Sequence, residues 1–277
     1  MAMVSTDIVV EEIDTVVETE GDKIRRYAEF LAVYASYMLG CGATCIRIEK
    51  NLRRMANAVG LQVDMIILSH HVTVICTDNR SGIKKQSIRR LHPTGISFEI
   101  NTRLSELSWK IAEKKVSFEE AGSIFYRIVN RKPMTNDRIL LLVVLANASF
   151  CHLFGGDWGS MLIVGVATFI GYLAKVLMLS RGWDDKIVWL ICAFISALCA
   201  AGMNYIPDIT VTPNWSIAAS VLYLIPGIPY INSISDCIDG HYLCSIGRLI
   251  HALALTICIA LGLTAGLLIA NIKPMIG

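Results

Sequence analysis

Positive charge is scarce in the second half of this 277-residue sequence: of 25 lysines and arginines, 20 precede Ile139 and 5 follow it. A water-facing domain needs charge along its whole length, so this distribution excludes an ordinary soluble second half. Common catalytic signatures are also missing. There is no HExxH, GxSxG, Walker A loop or CxxC pair, so no catalytic residue and no metal ligand is assigned, and no cofactor is expected. The first twenty residues are acidic and lack a basic segment leading into an apolar one, so they are not a secretory signal. The 20 basic residues of the first 138 positions are offset by 17 acidic ones, and the formal net charge is only +2. No nucleic-acid partner is implied. Nine cysteines are present. Cys41 and Cys45, four apart at a helix start, have a spacing that could suit a metal, but they are read as reduced buried thiols acting as small hydrophobes.

What the chain does have is apolar length. Hydrophobic residues make up 54%, and the mean hydropathy is +0.55. Long apolar runs cover 139–154, 158–179, 187–206, 215–234 and 249–272. A bilayer core of ~30 Å requires roughly 20 residues of helix. Four runs meet that length, and the first does so by borrowing Gly155, Gly156 and flanking polar residues. The expected fold is therefore an α-helical membrane protein with five transmembrane helices, at about 139–156, 158–179, 187–206, 215–234 and 249–272, and an N-terminal α+β cytoplasmic domain. Residues 1–20 are expected to be an acidic flexible tail, 21–135 the cytoplasmic domain and 136–277 the membrane domain in the lipid bilayer. Arg181 and Lys186 in the second connection, and Arg248 after the fourth, put those loops and the N-terminus on the cytoplasmic side and the C-terminus outside. Lys273 is a single exception. Trp158, Trp183, Trp189 and Trp215 fall at or near span ends, where interfacial aromatics belong.

Periodicity in the N-terminal part predicts helices at 23–39, with Asp22 as N-cap, and at 43–59, closed by Gly60. Strands are expected at 61–68 and 72–77, joined by Ser69, His70 and His71 as a hairpin turn rather than a metal site. A third β-like run lies at 95–100, after a polar stretch at 80–90. Helices follow at 103–114 and at 118–130. The latter opens with a capping box of Ser117 and Glu120 and stops at Pro133. Arg47 and Glu49 lie early in the second helix, as a buried pair, a cytoplasmic contact or a solvated face. Gly40-Cys41-Gly42 is explained by a tight turn.

The membrane half carries sharper signals, because polar groups inside a bilayer are costly and tend to line a path or an interface. Asn147 sits mid-span. Asn204 and Asp208 flank Pro207. The fourth span contains Leu224-Ile225-Pro226-Gly227-Ile228-Pro229, then Asn232, Ser235, Asp236 and Asp239. Prolines at that spacing break the hydrogen-bond ladder. Freed backbone groups at membrane depth must face protein or a water-filled cavity. Pro226, Gly227, Pro229, Asn232, Asp236, Asn204, Asp208 and Asn147 are the candidate substrate-path residues, with a plain proline kink as the alternative. Asp236 and His251 are the candidate proton-coupling residues. Gly262 and Gly266 form GxxxG, a helix-packing motif for a helix of this chain or of a partner.

The run from Leu224 through Asp236, followed by Gly240 and Gly247, resembles the bacterial threonine/serine exporter family. Gly42-Ala43-Thr44 with Arg47 and Glu49, the stretches 56–60 and 104–107, and Phe154-Gly155-Gly156-Asp157-Trp158 fit the same family, over roughly 27 to the C-terminus. The resemblance implies proton-motive-force-driven export of a small-molecule substrate, threonine and serine or, in a two-subunit branch, dicarboxylates such as succinate. It implies residence in the bacterial cytoplasmic (inner) membrane and no enzyme activity. Full-length members carry further spans after the fifth. This chain therefore looks like the larger half of a split exporter, partnered by a second, smaller membrane subunit and by copies of itself. The alternatives are a membrane-anchored sensor or assembly subunit and a membrane-bound enzyme.

Overall fold

The computed structural model describes residues 19–68, 71–92, 95–131 and 134–270. The chain forms two compact units, one of Met1–Ala43 with Arg47–Val129 and the other of Thr44–Ile46 with Asn130–Gly277.

The first unit is built from α1 (Glu20–Gly40), α2 (Cys45–Ala58, whose first two residues cluster with the second unit), β1 (Leu61–Leu68), β2 (His71–Asp78), β3 (Lys84–Arg90), α3 (Phe98–Ala112) and α4 (Phe118–Val129). Thr19, not Asp22, caps α1: its side chain accepts from the Asp22 N–H. A hydroxyl before the first turn satisfies an orphan amide, while Asp22 inside that turn favours the positive end of the helix dipole. Ile24, Ala28, Leu31, Ala35 and Met38 recur at helical spacing and are buried. Residues 1–18 of the expected tail, with Ser69, His70 and Pro133, lie outside the described residues.

The sheet is an antiparallel meander in the order β1-β2-β3, in register Val63↔Cys76 and Thr73↔Ile88. Leu61, Val63 and Ile67 alternate inward from β1, and Val72, Val74 and Cys76 from β2. The third strand is not at 95–100 but at Lys84–Arg90, inside the stretch expected to be polar linker. β3 is an edge strand with one buried position, Ser87, so it carries no apolar alternation, and its Lys and Arg side chains guard the open edge. In the 95–100 segment, Ser97 accepts from the Ile100 N–H and starts α3 at Phe98. The capping box of α4 is present: the Ser117 N–H donates to Glu120 Oε2 and the Glu120 N–H to Ser117 Oγ. Inside the unit, Tyr34 Oη donates to the Leu104 carbonyl at 2.8 Å and accepts from Asn51 Nδ2 at 3.0 Å.

The second unit contains α5 (Asn136–Leu153), α6 (Trp158–Ser180), α7 (Asp185–Met203), α8 (Pro213–Ser220), a 3-10 turn (Leu222–Leu224), α9 (Gly227–Ile238) and α10 (Tyr242–Ile269). Among the described residues four helices, α5, α6, α7 and α10, are long and apolar enough to cross a membrane. The segment Pro213–Leu224 and α9 form a pair bent by 60°, which makes five if that pair is one span. The chain is thus a multi-pass, mostly helical membrane protein with a small N-terminal sheet. The stretch left between the expected fourth and fifth spans, 235–248, is mostly helical. α9 runs to Ile238, α10 starts at Tyr242, and Gly240 turns between them with φ +84. The charge of Asp236 does not end the helix because it is paired inside the protein, as described below.

α10 packs most extensively on α7. A Cβ on Gly262 would stand 2.2 Å from the Leu190 carbonyl oxygen, and one on Gly266 would stand 2.9 Å from the Ala197 Cβ. The GxxxG face is therefore filled by a helix of this chain, backbone against backbone.

Candidate functional site

The site begins at the break in the bent pair. Pro226 has no N–H to donate and ends the run from Pro213; Pro229 falls in the first turn of α9, where a missing donor costs nothing. The Gly227 N–H turns back to the Ile225 carbonyl at 2.9 Å. The Leu224 carbonyl, left without a helical donor, accepts from Trp189 Nε1 at 2.8 Å. The break is thus a built feature with an indole from α7 satisfying it.

Beyond the break, α9 carries Asp236 to a position with no solvent exposure. Arg248 Nη1 of α10 stands 2.9 Å from Asp236 Oδ2. Asp236 Oδ1 accepts the Cys45 N–H at 2.7 Å; Cys45 belongs to the short segment Thr44–Ile46 that clusters with this unit. The His241 N–H closes the turn onto the Asp236 carbonyl at 2.8 Å. One turn away, Ser233 Oγ donates to the Ser245 carbonyl and Ser245 Oγ to the Ser233 carbonyl, both at 2.8 Å. This reciprocal pair staples α9 to α10 beside the ion pair. A buried carboxylate is stable only when paired and hydrogen-bonded, and removing either partner strands a charge.

Cys45, Asp236 and Cys244 place three metal-ligand atoms within 4.8 Å of one another. Asp236 Oδ1 already accepts the Cys45 N–H, Oδ2 faces Arg248 Nη1 at ion-pair distance without hydrogen-bond geometry, and the guanidinium repels a cation. The cluster is therefore an ion-pair node lined by thiols.

The other expected residues lie elsewhere. Asn147 is buried and donates to Thr168 Oγ1 at 2.6 Å and to the Ala219 carbonyl at 3.1 Å, tying α5 to α6 and α8. Asn204 exchanges hydrogen bonds with Ser216 and donates to the Pro213 carbonyl, holding the end of α7 to the start of α8. Asp208 is exposed with φ +58. Asn232 is half-buried on α9. His251 is exposed, with Nε2 3.4 Å from Asp185 Oδ2. In the first unit, Arg47 Nη1 reaches Asn101 Oδ1 at 3.5 Å and Glu49 pairs with Arg53, so Arg47 and Glu49 have separate partners.

Sequence reasoning passed over Arg248 as Asp236's partner, and Cys45, Ser233, Cys244 and Ser245 around it. A signal for Arg248 existed. It is the single basic residue between Lys186 and Lys273, so a buried carboxylate in that stretch had one available counter-ion.

A family model described as "Putative threonine/serine exporter" matches residues 29–270. The protein named "Probable succinate transporter subunit YjjP" of Klebsiella aerogenes is 28% identical over 231 residues, 82% of this chain and 88% of the relative. Its namesake in Escherichia coli K12 is 25% identical over 240 residues, covering 86% and 92%. No solved structure matches the chain.

Proposed function

The chain belongs to the threonine/serine exporter family, and from that premise we propose that it is one subunit of a proton-motive-force-driven exporter of small polar metabolites in the bacterial cytoplasmic membrane. The observation that carries this reading is the fully buried Asp236, on the helix that follows a 60° break, facing the partly buried Arg248 of α10. Broken helices at membrane depth expose backbone donors and acceptors where a small polar substrate can replace water. A proton delivered to Asp236 cancels the charge that holds Arg248. The guanidinium can then turn towards a substrate carboxylate, and the α9–α10 hairpin is left with the Ser233–Ser245 pair in place of the ion pair. Proton entry and substrate release are thereby linked through one ion pair.

The names of the two relatives support dicarboxylates such as succinate ahead of threonine and serine as substrate, and support a second membrane subunit as partner. The domain expected at 21–135 is proposed to lie in the cytoplasm, with the C-terminus outside.

The test is gradient-driven transport in proteoliposomes containing the chain and its smaller partner. Asp236→Asn is expected to lower flux by at least about tenfold, from loss of one charge-assisted contact. Because that variant strands Arg248, it is compared with Asp236→Asn/Arg248→Gln, which leaves no buried charge. A folded double variant that stays inactive supports proton coupling at Asp236. Recovery of proton-driven flux in the double variant would reduce the pair to a structural link.

A further inference from the structure

A second charged group inside the membrane unit is unaccounted for by this mechanism. Lys175 lies on α6, about one and a half turns before its end at Ser180. A lysine at that depth has the reach to snorkel along its own helix into water. Its ammonium instead crosses to α7 and rests on an aromatic face, 4.1 Å from the Trp189 ring centroid and 5.8 Å from that of Tyr172. Among the described residues no carboxylate pairs with it. A cation held by π faces alone is the group in this unit most open to a better partner, because an anion binds an ammonium more strongly than a ring does.

The surroundings fit an anion. One turn earlier on the same face of α6, Gly171 leaves room for two hydroxyls: a Cβ there would meet Ser196 Oγ at 2.1 Å and Tyr223 Oη at 2.2 Å. Those hydroxyls stand 3.0 Å apart. Tyr223 belongs to the 3-10 turn that leads into the break, and Trp189, under the ammonium, holds the Leu224 carbonyl of that turn. The groups beside the ammonium are Tyr172, Trp189 and Cys192, with the Ser196 and Tyr223 hydroxyls one turn away against Gly171. They include donors for a carboxylate and no acid for a substrate ammonium.

We propose that Lys175 anchors a substrate carboxylate beside the broken helix, and that this cation, standing without an acidic neighbour, selects dicarboxylates over zwitterionic amino acids. The inference rests on the exporter reading above. Without substrate the ammonium rests on Trp189. When a carboxylate draws it off the ring, Trp189 relays the change to the Leu224 carbonyl and so to the Pro226 break. The Ser196 and Tyr223 hydroxyls complete the carboxylate's hydrogen bonding.

The experiment is saturation kinetics of succinate and threonine in proteoliposomes holding the chain and its smaller partner, for wild type, K175Q and K175R. Gln brings no charge into the apolar helix, and flux is normalised to the amount of folded protein for each variant. K175Q is expected to raise the succinate KM about tenfold or more and to narrow the preference for succinate over threonine. K175R is expected to recover most of the loss. An unchanged succinate KM in K175Q, with wild-type flux intact, overturns the proposal and makes Lys175 an interfacial anchor. An equal fall in maximal rate for both substrates at unchanged KM overturns it in favour of a structural role. A wild type that moves threonine but not succinate overturns the selectivity and leaves the exporter reading standing. A wild type that moves neither overturns both.

Discussion

Single residues in this chain do work that their type alone does not announce. Asp157 precedes α6 and was expected only as part of a junction. It accepts from Thr210 Oγ1 at 2.6 Å, Thr212 Oγ1 at 3.0 Å, the Ser160 N–H at 2.8 Å and the Val211 N–H at 2.9 Å. The Thr210 hydrogen bond first, then those from the Val211 and Ser160 amides, hold its carboxyl well below the usual carboxylate range. A depressed folded-state pKa stabilises the fold above the unfolded value of about 3.9 and loses that contribution as pH falls through the folded value. Asp157→Ala is therefore expected to lower the thermal midpoint of the detergent-solubilised protein throughout pH 5–8. The gap from wild type should close only as the pH drops well below about 4. A gap that shrinks already between pH 7 and 5 would show that another group is responsible. Asp236 teaches the same lesson from the opposite direction. Asp236 was expected at the end of the broken span as a proton-coupling candidate, and only its counter-ion twelve positions on shows why it is buried.

Among the elements, the contact of α7 with α10 is the most demanding of shape. Gly262 approaches the Leu190 carbonyl more closely than Gly266 approaches Ala197 or the Phe194 carbonyl, the added Cβ distances being 2.2 Å against 2.9 Å and 3.0 Å. Backbone cannot move aside as a side chain can. Gly262→Ala is expected to destabilise by about 1–3 kcal/mol and Gly266→Ala by less. Gly165→Ala, whose Cβ would meet only Val144 Cγ1 at 3.8 Å, serves as the neutral control. Equal midpoints for all three would mean that α7 and α10 are not packed this closely. This contact also removes one argument for a purely scaffolding subunit, since the GxxxG face is occupied within the chain. The apolar helices were legible because each must hide its backbone from lipid and so declares itself by length. β3 was not, because an edge strand with one buried side chain has no period to detect. The break at Pro226 was legible from proline chemistry. The indole that satisfies it was not, because Trp189 comes from 35 positions away and was expected to sit at an interface.

At the scale of the whole molecule, the arrangement of connections constrains which ends of the helices share a side. Asp157 binds Thr210, Val211 and Thr212 directly, so the α5–α6 and α7–α8 connections meet on one face of the membrane unit. The α6–α7 connection and the tight turn after α9 then belong to the opposite face if the bent pair is one span, because α6 and α7 each cross once. Arg181 and Lys186 flank the α6–α7 connection, while the connection that holds Asp157 has no basic residue. On the positive-inside bias, the proposed orientation has Asp157 outside and Arg181 in the cytoplasm. Val211 is 85% exposed and Gly240 meets nothing within 4 Å, so each gives an accessible probe. In a Cys237→Ser background, which removes the one exposed native thiol among the described residues, Val211→Cys is expected to react with a membrane-impermeant maleimide in intact cells. Asp239→Cys, beside Gly240 in the turn, should react only after permeabilisation. Labelling of both in intact cells would mean that Pro213–Leu224 and α9 enter and leave by the same face as a re-entrant loop. In that case Asp236 and Arg248 would be reached from outside, and the proton would have to approach them from that side.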